Sequence, residues 1–326
     1  MSLYQKLEDA IAKESLCRNT LKSYYSVCRK FYGFIKKPAS QWTGKDVEVW
    51  CVFLYKQNYS RSARKAALNA LAFVFKRVLK ADMGKLDLPP LPPERKRLKI
   101  IPSREEIGRI FAGMTGQPRL IAGLLYGAGL RVEEGCKLRV QDIDFSNLTI
   151  RIHSGKGDKD RLTLLPTILA ESLRRQVDWR KALHEIDLAH GAGFVELPGQ
   201  LAKKYRHAPR ELRWQYLFAS AGVRGQYRWH ITPEAVQNSM RAAVAKSGIM
   251  LRVTPHTLRH AFATHSMRLG NDIETVRNML GHDSLATTAI YLHADAAEGR
   301  SPLDKPMIQP LPDLSALPTR AQLLTH

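Results

Sequence analysis

Residues 148–165 read LTIRIHSGKGDKDRLTLL. At Leu148-Thr149-Ile150-Arg151-Ile152 and Arg161-Leu162-Thr163-Leu164-Leu165, helical spacing gives way to alternation, the signature of two short strands with one face buried. The connection Ser154-Gly155-Lys156-Gly157-Asp158-Lys159-Asp160 is too rich in glycine and charge to be buried, so the pair predicts an antiparallel hairpin with an exposed turn. Almost everything on either side has helical spacing. The expected class is therefore mainly α, with a small antiparallel β-sheet in the second of two domains.

Working outward, Ser103-Arg104-Glu105-Glu106 is a capping box that opens a helix, and an apolar helix Leu120–Gly127 ends in Gly127-Ala128-Gly129. Beyond the hairpin a long helix is expected from about Thr167 to Ala189. Residues 190–230 break the pattern with scattered glycines and prolines and with the run Lys203-Lys204-Tyr205-Arg206-His207 leading to Trp214-Gln215-Tyr216. They read as an insertion, at about 190–222, with a short helix of its own. Thr232-Pro233 then caps a helix reaching Lys246, and Thr254-Pro255 another from His256 to Leu269. Asn271-x-x-Glu274 caps a third that stops at Gly281, Ser284 opens a last one carrying Tyr291, and a tail fills 301–326.

Toward the N-terminus, Leu3–Lys13, Arg18–Ile35, Gly44–Gln57 and Ser60–Lys80 each place apolar residues three and four apart, giving a four-helix domain over 1–83. Its outer faces carry Lys and Arg interleaved with Tyr24, Tyr25, Tyr32 and Tyr55, for most of which core packing is the simpler reading. Pro89, Pro90, Pro92, Pro93 and Pro102, with the charged cluster Glu94-Arg95-Lys96-Arg97, make 84–102 an extended basic linker to a domain spanning 103–300.

The 51 Lys and Arg against 30 Asp and Glu give a net charge of +21, and residues 1–80 hold 16 basic and 5 acidic residues, about half of the excess. So large an excess repels itself unless a partner neutralises it, which points to nucleic acid, with Arg95, Lys96 and Arg97 as candidate phosphate contacts. The four cysteines form no CxxC pair, so neither a structural zinc nor a disulfide framework is expected. No apolar run reaches membrane-spanning length and no signal-like leader opens the chain, which predicts a soluble cytoplasmic protein with no membrane partner.

His256-Thr257-Leu258-Arg259 sets an imidazole and a guanidinium three residues apart in the first turn of a helix, on one face and beside backbone N–H groups that favour an anion. Gly281-His282 adds a second imidazole, Tyr291 a phenol nine residues later, Arg131 a further guanidinium behind the Gly129 break, and Lys156 an amine on the hairpin turn. Each alone is weak, since a lone Arg is usually an ion pair and a lone Tyr a packing residue. Together and in this order they resemble the active site of the tyrosine recombinase family. LLYGAGLRVEEGCKLRVQDID at 124–144, the hairpin motif Gly155-Lys156-Gly157-x-x-Asp160-Arg161, PHTLRHAFAT at 255–264 and the Ser301-Pro302-Leu303-Asp304 tail are similar to integron integrases in particular, as is the insertion. Arg206 and the Tyr291-Leu292-His293 run depart from common subfamily residues without removing a reacting group.

The resemblance implies a two-domain, C-shaped DNA clamp and a site-specific recombinase working without metal, ATP or other cofactor. Arg131 and Arg259 would grip the non-bridging phosphate oxygens, with Tyr291 as nucleophile, His256 as its base and His282 steadying the pentacoordinate state. Lys156 would protonate the leaving oxygen, although Lys159 shares its turn. Glu134 reads as an orienter of Arg131. The partners implied are folded single-stranded hairpin sites and a duplex site, bound by a homotetramer. On the insertion, Lys203, Lys204, Tyr205, His207 and Trp214 are candidate DNA contacts that would stack on an extruded base, unless the aromatics simply pack the insertion onto its domain. Three rival readings stand: a duplex-specific recombinase of phage or dimer-resolving type, a DNA-binding module without catalysis, and a metal site at His256, His260 and His265. The last lacks the Glu of HExxH, and His260 and His265 read instead as packing residues.

Overall fold

The structure is a computed structural model that describes residues 2–14, 16, 18–92, 101–153, 160–197 and 201–281. The chain divides into two compact units, Met1–Leu98 and Lys99–His326.

In the first unit, α1 (Leu3–Lys13), α2 (Arg18–Ile35), α3 (Gly44–Lys56) and α4 (Arg61–Phe73) surround one core. Ser2 and Thr43 form capping boxes with Gln5 and Asp46, and Ser60 caps α4. These side-chain oxygens satisfy the first N–H groups that a helix leaves unpaired. Phe31 lies edge-on to Trp42 at 4.8 Å and beside Trp50 at 5.2 Å, with Leu7, Leu54 and Leu71 buried around them. The expected single helix from Ser60 to Lys80 is in fact α4 followed by a π-helical stretch, Val74–Leu79, which ends at Lys80 with φ +53°. Tyr24 and Tyr25 pack against the core, whereas Tyr32 and Tyr55 are exposed. The first part of the expected linker is not a tether. Buried Arg64 donates to the Pro89 and Pro90 carbonyls, Arg61 to Pro92, and the Asp87 N–H to Glu48, so residues 84–92 are tied to this unit. Arg95, Lys96 and Arg97 lie outside the described residues.

The second unit is organised by α6 (Gly116–Gly127), whose residues from Arg119 onward are all buried. Against it pack α5 (Arg104–Ala112), α7 (Val132–Lys137), α8 (Thr167–Ala189), α10 (Pro233–Lys246) and α11 (Pro255–Arg268), with α12 (Ile273–Leu280) beyond α11. The three-stranded sheet runs β1 (Ile143–Asp144), β2 (Thr149–Ile152), β3 (Arg161–Leu164), antiparallel throughout. Ile150 pairs with Thr163 and Ile152 with Arg161, while Ile150 and Ile152 face the core and Arg151 faces out. A single alternating face thus fixes the register.

The insertion carries α9 (Leu201–Lys204) and also a hairpin of β4 (Ala219–Arg224) and β5 (Tyr227–His230) that runs past its expected end. It is stitched back where it returns: Val140 N–H donates to Gln215 and Leu217 N–H to Leu138. Beneath it, Arg180 donates to the Tyr216 carbonyl and the Gln215 side chain, Gln176 to the Leu217 carbonyl, and Arg228 forms an ion pair with Asp187. One cap also differs. Asp272, not Asn271, accepts the Thr275 N–H at the start of α12, and Asn271 is buried.

Candidate active site

The turn after α6 sets the first part of the site. Gly129 has φ +68°, and a Cβ there would lie 2.6 Å from ring carbons of Phe262, so only glycine fits both the backbone and the space. The chain then presents Arg131 as the N-cap of α7. Glu134, three residues on, accepts the Arg131 backbone N–H at 2.7 Å through one carboxylate oxygen and the Arg131 guanidinium at 2.7 Å through the other.

Two further guanidiniums converge on that carboxylate. Arg161, the first residue of β3, donates to both Glu134 oxygens at 2.9 and 2.6 Å and through Nε to the Met279 carbonyl at 2.9 Å. Arg259, buried in the first turns of α11, donates to the carbonyls of Gly129 and Leu280, and its Nη1 lies 3.8 Å from Glu134. Burial alone would raise the Glu134 pKa, but hydrogen bonds and charge from Arg161, followed by the bonds from Arg131, hold it down at about 2. The carboxylate stays ionised, and among the described residues three cations surround this one anion, an excess of two positive charges. Arg259 is 4 % exposed and the Arg161 side chain 9 %, but the Arg131 side chain is 31 % exposed. The excess charge therefore reaches solvent through Arg131, the geometry of a site that awaits an external anion.

α11 starts at a Thr254–Thr257 capping box with Pro255 in its first turn, and His256 stands exposed there, one turn before Arg259. Its ring lies 4.2 Å from that of His260. His265 turns into the core instead, with Nδ1 2.8 Å from the Tyr126 hydroxyl, and burial, then the Arg268 and Arg104 charges, push its pKa down to about 4. Among the described residues no group of three or more His, Cys, Asp or Glu is arranged to hold a metal ion.

Of the predicted site residues, then, Arg131 and Arg259 meet through Glu134, and His256 shares a helix with Arg259. Lys156, His282 and Tyr291 lie outside the described residues, as does the alternative Lys159. Their flanks are nonetheless fixed. His153 and Asp160, on either side of the hairpin turn, are hydrogen-bonded at 3.0 Å, and Thr163 bonds the Ala128 carbonyl at 2.8 Å. Gly281, with φ +62°, lies so close to Arg161 that a Cβ would fall 2.8 Å from its Cδ. No role fell to Arg161 in the sequence, because its partners Glu134 and Met279 are 27 and 118 residues away.

On the insertion, Lys204, Tyr205 and His207 are exposed, with the Lys204 ammonium 5.4 Å from the Tyr205 ring centre; the Lys203 side chain is outside the described residues. Trp214 is half-buried between the guanidiniums of Arg139 and Arg213, each 5.9 Å from its ring, and Tyr216 is buried on Arg139 and His230. Packing thus accounts for Tyr216 and engages Trp214, but it leaves Tyr205 and His207 facing solvent.

Residues 104–298 match the model of the phage integrase family, and residues 3–85 match the N-terminal SAM-like domain of phage integrases. The chain belongs to the phage integrase family of tyrosine-type site-specific recombinases. Among relatives in that family, an integrase/recombinase of Escherichia coli is 38 % identical over 300 residues, covering 87 % of this chain and 88 % of the relative. A tyrosine recombinase of Thermosipho africanus is 30 % identical over 287 residues, covering 84 % and 88 %. The fold is similar to that of the XerH site-specific recombinase in a post-cleavage complex with a difH substrate, with TM-score 0.60 at 19 % identity over 89 % of this chain and 80 % of that one.

Proposed function

We propose that this recombinase cleaves and rejoins DNA through a 3′-phosphotyrosine on Tyr291 and that it is an integron integrase, acting on folded single-stranded cassette sites as well as a duplex site. The observation that carries the chemistry is the cluster around Glu134, whose two excess positive charges emerge at Arg131. A phosphodiester oxygen reaching Arg131 meets a cation already oriented by a carboxylate that cannot be protonated at neutral pH. Such preorganised charge is worth most where the pentacoordinate state concentrates its anionic oxygens.

In the proposed reaction, His256 takes the Tyr291 phenol proton as the phenolate oxygen bonds to phosphorus. The bond to the 5′ oxygen breaks, and Lys156 delivers a proton to that leaving group. Arg131 and Arg259 neutralise the non-bridging oxygens and His282 hydrogen-bonds one of them. A phenol titrates near ~10, so the cationic surroundings also favour the attacking phenolate. The phosphotyrosine retains the energy of the broken bond, so rejoining calls for no nucleotide. Cytoplasmic DNA, bound by the chain and synapsed by four copies of it, is the setting that fits this chemistry and the +21 charge.

Support for the integron reading comes from the insertion, which is anchored by buried polar bonds yet presents Lys204, Tyr205 and His207 outward as a cationic, aromatic surface suited to an unpaired base. The half-buried Trp214 favours the second reading, a recombinase of ordinary duplex sites. The two separate in a covalent-adduct assay on a nicked trap substrate offered as duplex or as folded strand. A denaturant-resistant adduct on the folded strand, lost in Tyr291→Phe and weakened in Tyr205→Ala, is the expected result. An adduct on duplex alone would leave the cleavage chemistry and overturn the integron reading, and binding with no adduct on either would overturn both.

A further inference from the structure

Arg161 is bound on every side of its guanidinium that the structure describes. Its two Nη atoms satisfy both Glu134 oxygens, its Nε satisfies the Met279 carbonyl at the end of α12, and its Cδ fills the space that glycine leaves at position 281. Its own backbone is paired with Ile152 in the last ladder pair before the turn of the β2–β3 hairpin, and Thr163, two residues along the same strand, bonds the Ala128 carbonyl. One side chain therefore joins the strand end from which the turn with Lys156 departs, the carboxylate that orients Arg131, and the helix end from which the chain continues to His282.

We propose that Arg161 is a positioning residue for strand cleavage, setting the hairpin of Lys156 in register with Arg131 and with the Gly281–His282 step. The proposal rests on the phosphotyrosine reading above. Arg161 needs no contact with DNA, since its donors point into the protein. The physical demand is geometric: a proton donor must reach the leaving oxygen while the arginines hold the other phosphate oxygens, and an error of about 1 Å in such a placement costs on the order of 10²-fold in rate. Lysine cannot substitute. It keeps the charge beside Glu134, but its single ammonium cannot make the two-pronged contact with the carboxylate and also reach the Met279 carbonyl in a fixed plane.

The test is single-turnover adduct formation by the full chain at saturating nicked trap DNA, comparing the parent with Arg161→Lys on substrates whose 5′ bridging atom is oxygen or sulfur. A thiolate departs without a proton, so a defect in presenting Lys156 shrinks on the sulfur substrate, whereas a defect in Arg131 or in the fold does not. The expected result is half-saturation within about threefold of the parent and a rate on the oxygen substrate down by about 10²-fold, largely recovered on sulfur. Gly281→Ala, which displaces the Arg161 stem while keeping its guanidinium, is expected to show the same oxygen-selective loss and serves if Arg161→Lys does not fold. An oxygen-substrate rate within about threefold of the parent, or an equal loss on both substrates, would overturn the proposal. If the parent itself gave no Tyr291-dependent adduct, the phosphotyrosine reading would fall with it; a competent parent beside an unaffected variant would remove Arg161 alone.

Discussion

The second unit holds two clusters in which a single carboxylate gathers guanidiniums, three at Glu134 and two at Asp187, and they differ in how far those cations are enclosed. Around Glu134, Arg161 and Arg259 are enclosed but Arg131 keeps nearly a third of its side chain in solvent. Around Asp187, Arg180 is 0 % exposed and Arg228 is 7 %, and no cation reaches the surface. Burying an ion pair costs desolvation that the pair only partly returns, so neither cluster is explained as simple stabilisation. The closed one joins α8 to the β4–β5 hairpin and to the chain returning at Gln215 and Tyr216. The open one leaves charge for a ligand outside the protein. The same pairing of carboxylate with guanidinium thus makes a fastener in one place and a candidate binding site in the other, and the exposure of one arginine separates them.

Removing the carboxylate from the closed cluster is the most severe way to probe this contrast. Asp187→Ala strands Arg180 and Arg228 without their counter-ion, and a loss of about 3–5 kcal/mol in unfolding free energy is expected in denaturant titrations. The molecules that remain folded are expected to cleave at the parent rate, and a large loss of rate per folded molecule would mean that the two clusters are not separate. Arg131→Ala should do the reverse. A preorganised donor to a developing oxyanion is worth about 10²–10³-fold, so adduct formation should fall by that factor while the unfolding midpoint barely moves.

Acid provides a third, smaller probe. The Glu134 pKa is about 2, below its ordinary 4.5, so its ionised form contributes stability that is complete above pH 4.5 and disappears as pH falls toward 2. Glu134→Gln should flatten acid unfolding in that window by at most about 3 kcal/mol, and an unchanged slope would mean that the carboxylate is not held by its arginines. His265 leaves its mark higher. Its depressed pKa makes the fold lose stability from pH 6.5 down to about 4 in parent and variant alike, so the two windows separate. Smallest of all, Tyr205→Ala should change unfolding free energy by less than about 0.5 kcal/mol, as expected for an exposed side chain, while weakening retention of a bulged hairpin in a gel shift.

Much of this fold was legible in local sequence. Thr232-Pro233 and Thr254-Pro255 marked helix starts because caps and first-turn prolines act through neighbouring atoms, and Ile150 and Ile152 marked a strand because one face alternates. The β4 strand was not legible: Ala219-Ser220-Ala221-Gly222-Val223-Arg224 has neither alternation nor bulk, and its pairing with Tyr227–His230 supplies what its composition lacks. The α12 cap was misplaced by one residue because Asn271 and Asp272 are both good cap types, and only burial of the first selects the second. At the site, Arg131 and Glu134 were readable as neighbours one turn apart. Their bond to Arg161 was not, because it depends on how the hairpin folds across the end of α12.

The stitching of the insertion also bears on how such proteins can change length. The segment between Glu196 and Ala208 is spliced in between two fixed points, the Arg139 bond to the Glu196 carbonyl and the Gln215 bond to the Pro209 carbonyl. With both ends clamped, a change of length in that interval outside α9 costs chiefly loop-closure entropy, about 0.6 kcal/mol for each doubling. The interval is accordingly a graft site, where a segment of different length or composition can be exchanged while the frame that holds Arg139 and Gln215 keeps its register.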